Sequence, residues 1–109
     1  MDALSIHVQP DRSRLFSEDA IAQLRNIQVE PGLVQNVTVD DGNDHGRYID
    51  ITFSTTNARQ LWPVVREQII RLGLQRATIV TCTGRERWRD YLLLHHFDPK
   101  QRLDGFGTL

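Results

Sequence analysis

A chain of 109 residues with one cysteine cannot close an intramolecular disulfide, which removes the stapled framework on which small secreted domains commonly depend. Lysine is nearly missing too. Lys100 is the only one, so almost all of the 13 basic side chains are arginine, a bias that a GC-rich genome explains as simply as any binding role. Charge of one sign is not in surplus: 13 basic against 14 acidic side chains leave a formal net charge of -1. That balance argues against a dedicated nucleic-acid binder, whose phosphate contacts show as a basic excess, though it permits a local patch. The longest apolar run, near Tyr91–Leu94, is far too short to span a bilayer. The opening residues Met1-Asp2-Ala3-Leu4-Ser5 lack the basic stretch and apolar run of a secretory leader, so the expected location is the cytoplasm. No Gly-x-Gly-x-x-Gly, Walker loop, nucleophile-elbow serine or His-Glu-x-x-His motif occurs.

What is present belongs to an ordinary globular protein: 39% hydrophobic and 25% charged residues. This length holds one hydrophobic core, so the expectation is a single domain over 1–109, with 100–109 as a tail or short edge strand. Leu4, Ile6 and Val8 alternate with Ser5, His7 and Gln9, the period of a half-buried strand that Pro10-Asp11 ends. Ser17 is a good helix N-cap, followed by Glu18 and Asp19 where the helix dipole favours acids, with Phe16 and Ile21 at staple spacing. Leu33–Val39 and Arg47–Ser54 read as two strands joined across the polar turn Asp40–Gly46. Thr55-Thr56-Asn57 offers caps for a second helix carrying Leu61, Val65, Ile69 and Leu72 and closed by Gly73, with Pro63 predicting either a later start or a bend. Ala77–Cys82 reads as a buried strand. Thr83 and Glu86 have the spacing of a capping box, which predicts a third helix with Trp88, Leu92 and His95 on one side. The expected fold is therefore α+β: a ferredoxin-like β-α-β-β-α-β plait with an added C-terminal helix.

Few residues suggest chemistry. Cys82 stands where a strand would turn into a helix N-terminus, an arrangement that lowers a thiol pKa. The arginines follow it at +3, +5 and +7 and not at the +6 of a cysteine phosphatase, so a buried strand cysteine is the favoured reading. Arg85 and Arg89 share a face of the predicted helix while Arg87 points away, which breaks a basic stripe. His95 and His96 are adjacent and lack the i, i+4 spacing of chelation from a helix; no metal or cofactor is expected, and His95 is expected half-buried with one hydrogen-bond partner. The hairpin turn collects Asp40, Asp41, Asp44 and His45, mostly residues suited to turns, which would also form an acidic knob for a basic partner. The expected function is that of a protein-binding module of the immunity or antitoxin kind, neutralising a toxin domain such as a nuclease through Asp40, Asp41, Asp44, His45, Arg85 and Arg89. The alternative is a small-molecule-binding regulatory domain of the plait type; an enzyme using Cys82 and an RNA-binding sheet rank below it. Self-association is compatible with either leading reading.

Overall fold

The computed structural model describes residues 1–84 and 87–106, without the side chains of residues 87–90. The elements run β1 (Asp2–Val8), α1 (Glu18–Arg25), β2 (Val34–Asn43), β3 (Arg47–Thr55), α2 (Ala58–Arg71), β4 (Thr78–Gly84) and β5 (Arg87–His95). The five strands form one sheet in the order β2-β3-β1-β4-β5, every neighbouring pair antiparallel.

One face of the sheet makes the core. Leu4, Ile6 and Val8 of β1 align with Phe53, Ile51 and Ile49 of β3, and Val80 and Cys82 of β4 continue the layer. Ile21 and Leu24 of α1 and Leu61, Val65 and Ile69 of α2 close over it. Each of these large side chains contributes about 1.5–3 kcal/mol by leaving water, so the alternation along β1 and β3 suffices to choose which face is covered. The opposite face, away from the α1 and α2 side chains of the core, carries Ser5 and His7 of β1 and Tyr48, Asp50 and Thr52 of β3, all half-buried.

Each helix begins at a side-chain cap, and α2 does so before Pro63 and not at the later start that this proline allowed. The Ser17 hydroxyl accepts from the Ala20 amide at 3.0 Å, and the Asn57 side chain accepts from the Gln60 amide at 3.1 Å. Pro63 lies inside α2, which runs through it as one element from Ala58. At the far end of α2 the Gly73 amide donates to the Ile70 carbonyl and the Leu74 amide to the Ile69 carbonyl, the paired bonds of a Schellman cap. Gly73 takes φ +69°, and a Cβ there would collide with Leu15.

Two expectations fail here. The predicted third helix is strand β5: Thr81, Cys82 and Thr83 of β4 pair with Leu93, Leu92 and Tyr91. Thr83 caps no helix, because its hydroxyl accepts from the Ala3 amide at 2.9 Å across the sheet; Glu86 lies outside the described residues. The physical reason is the open edge of β4. Nine residues ending in Tyr-Leu-Leu-Leu-His satisfy a helical or an alternating pattern, and pairing with a free edge decides between them. Leu94 is thereby buried and Tyr91 exposed. The hairpin turn is also shorter than expected. β2 continues through Asn43, so the loop is only Asp44, His45 and Gly46, with His45 at φ 56° and Gly46 at φ 138°. Gly42 holds its place in the strand because the Tyr48 ring packs across it where a Cβ would stand.

Candidate functional site

A chain of interacting polar groups stands on the uncovered face, where β1 ends and the β2–β3 hairpin turns. In the register of the sheet Asp40, Asp50 and His7 form one row across β2, β3 and β1. His7 Nδ1 lies 2.7 Å from Asp50 Oδ1, and the His7 and Tyr48 rings stack with centroids 5.4 Å apart. On the other side His7 Nε2 meets Gln9 Nε2 at 3.1 Å, while Gln9 Oε1 accepts from Arg12 Nε. This last bond fixes the tautomer. With its oxygen turned to Arg12, Gln9 presents its N–H to His7, so Nε2 accepts and Nδ1 carries the proton donated to Asp50. A polarised chain therefore runs from the Arg12 guanidinium through Gln9 and His7 to the Asp50 carboxylate.

His7, Gln9, Arg12, Tyr48 and Asp50 border an open cleft of about 580 Å³ whose rim is completed by Asp11, Asp44, His45 and Arg47. Arg47 is already engaged on the helix side of the sheet. It grips Asp41 with two bonds of 3.1 and 2.7 Å and Glu18 with a third of 2.9 Å. The Arg47 hydrogen bond holds the Asp41 carboxyl below its ordinary pKa, and bonding to Asp41 and then Glu18 raises that of Arg47. Arg12 is likewise occupied, its guanidinium lying 3.7 Å over the Phe97 ring. Among the described residues Asp40, Asp44 and Asp11 form no ion pair with an arginine or lysine, and the corner is acidic. A groove of about 560 Å³ also runs between α1 and α2, but its ion pair, Glu67–Arg71, is an i, i+4 pair on one helix.

The residues singled out by sequence are thus divided. Asp40, Asp44 and His45 reach the cleft end of the sheet, Asp44 and His45 3.8 Å apart and exposed. Asp41 belongs to the bridge joining the hairpin to α1 and is not an unpaired charge. Arg85 lies outside the described residues, as does the side chain of Arg89, whose backbone is in β5. Because β5 is the opposite edge strand and its Arg87 end pairs with Gly84, Arg89 is diagonally across the sheet from the hairpin loop. Compared with known proteins, the chain matches no family model, no curated protein and no solved structure.

The other residues singled out by sequence have their own local contacts. Cys82 is a buried strand residue, 3% exposed, and burial, with a further contribution from Asp2, pushes its thiol up to about 11. β4 leads from it into β5 and not into a helix N-terminus. His95 is half-buried with Nε2 2.7 Å from the Gln75 carbonyl, and His96 Nδ1 accepts from the Asp98 amide at 2.9 Å, so the two rings serve different backbone groups. Among the described residues no three His, Cys, Asp or Glu side chains are grouped to hold a metal. His7, Gln9, Arg12 and Tyr48 were not legible as a site. The available signal was that His7 and Asp50 each occupy the polar phase of an alternating strand; placing β1 beside β3 would have joined them.

Proposed function

We propose that this chain is a cytoplasmic protein-binding module of the immunity or antitoxin kind, which neutralises a toxin domain such as a nuclease by setting its acidic corner against the toxin's basic surface. The observation that carries the reading is the clustering of Asp11, Asp40, Asp44 and Asp50 at one end of the uncovered sheet face while Arg12 and Arg47 are committed to neighbours. Carboxylates so placed stand in for nucleic-acid phosphate and speed encounter with a cationic partner. We also read β1 to β4, with their order β2-β3-β1-β4 and helical connections α1 and α2, as a ferredoxin-like plait extended by β5.

The test is co-expression with the product of each adjacent gene, followed by purified binding measurements. The expected result is protection from one toxic product and a complex whose association slows as salt rises. Asp40→Lys together with Asp44→Lys should weaken that complex by about a hundredfold, within the range of charge pairs at steered interfaces. Absence of both binding and protection defeats the proposal.

A second reading, a small-molecule-binding domain, is favoured by the cleft, since convergent polar groups at its floor resemble a ligand pocket more than a flat contact. A metabolite that raises the melting temperature of the wild type and not of His7→Ala would support it. A shift shared equally by both would count against the cleft.

A further inference from the structure

We propose that the chain self-associates through the outer edge of β2, two copies pairing antiparallel about a two-fold axis at Thr38. The two edges of the sheet are treated differently. At β5 the Asp104 carboxylate accepts from the Leu93 amide at 2.9 Å and the Asp104 amide donates to the Leu93 carbonyl at 2.8 Å, so the following chain covers part of that edge. β2 has ten residues, and among the described residues no strand pairs with its outer side. An edge of that length is a template for another strand unless charge, proline or a bulge blocks it. Its centre, Val37-Thr38-Val39, contains neither charge nor proline, and Val39 is 37% exposed on the helix side of the sheet.

The occupant follows from the side chains. Centring the two-fold on Thr38 sets Thr38 opposite itself, Val37 opposite Val39 of the second copy, and Asn36 opposite Asp40. Apolar groups then meet apolar groups, and each carboxylate meets a carboxamide that can donate to it. Moving the axis to Val39 sets Val37 against Asp41, and moving it to Val37 sets Val39 against Gln35. Thr38 is the register in which the strand complements itself, and the irregularity between Val34 and Asn36 ends the pairing on one side. The product continues the five-stranded sheet into its copy, with the two hairpin tips about 40 Å apart at roughly 3.4 Å per residue.

The experiment is analytical ultracentrifugation of the full chain over a concentration series, with circular dichroism to verify that each variant is folded. The wild type should show a reversible monomer–dimer equilibrium. Val39→Lys should leave only monomer. Asn36→Lys, which faces Asp40 of the second copy, should tighten the dimer, and Asn36→Asp should loosen it, each by about tenfold because symmetry applies the change twice. A wild type that stays monomeric at its highest soluble concentration overturns the proposal, and so does a dimer indifferent to the two Asn36 substitutions.

Discussion

At Thr55 a polar side chain is held in the core because both of its hydrogen-bonding capacities are used. Its hydroxyl donates to the Leu33 carbonyl at 2.6 Å and accepts from the Asn57 amide at 3.1 Å, joining the end of β3 to the loop before β2 and to the start of α2. Thr55→Val keeps the shape and removes both bonds, so chemical denaturation should show a loss of about 1–3 kcal/mol. Gly73→Ala should cost about 1–2 kcal/mol, since an L side chain resists φ +69° and would also have to displace Leu15. Cys82 gives a pH signature. Its thiol is raised from an ordinary value near 9 to about 11, so the folded state favours the neutral form. Its contribution to stability is complete below pH 9 and is lost as pH rises through about 11. Wild type should therefore lose more stability than Cys82→Ala across that window, and the native thiol should resist alkylation at pH 8 until the protein unfolds.

At the scale of elements, caps and edges set the boundaries. Removing the Asn57 side chain by Asn57→Ala should cost about 1 kcal/mol, because the Gln60 amide then lacks its acceptor. The Ser17 and Gly73 positions were readable in the sequence since capping depends on residues adjacent to the helix they close, and Asn57 was narrowed to one of three neighbours. β5 was not readable in the same way. Its identity rests on Thr81, Cys82 and Thr83, about ten residues away in the chain, supplying a free edge. The end of that edge has its own test: Asp104→Ala should accelerate hydrogen exchange at the Leu93 amide, which loses its acceptor. The continuation of β2 through Asp40, Asp41 and Gly42 has a similar origin. Turn-forming residues stay extended there because Arg47 grips Asp41 and Tyr48 covers Gly42 from the neighbouring strand.

For the whole molecule, a net charge near zero conceals an uneven distribution, with carboxylates gathered at the cleft end of the uncovered face. Salt should consequently affect association with the basic partner we propose much more than it affects folding, which rests on the core beneath the other face. Phe53→Ala, at the centre of that core, should lower stability by about 3–5 kcal/mol whatever the ionic strength.

The sequence by itself determined the α+β class, the presence of α1 and α2 with the Ser17 and Gly73 caps, the core face of β1 and β3, and the burial of Cys82, because period and capping are local properties of the chain. Tertiary structure decided the fate of Arg87–His95, the length of the hairpin and the composition of the site. Asp41 reads as a free acid until Arg47 and Glu18 are brought to it. His7 reads as one polar residue among several until antiparallel pairing sets it against Asp50, 43 positions further along. The absence of a disulfide, of a charge surplus and of a catalytic motif narrowed the choices; which ordinary residues became neighbours was left to the order of strands in the sheet.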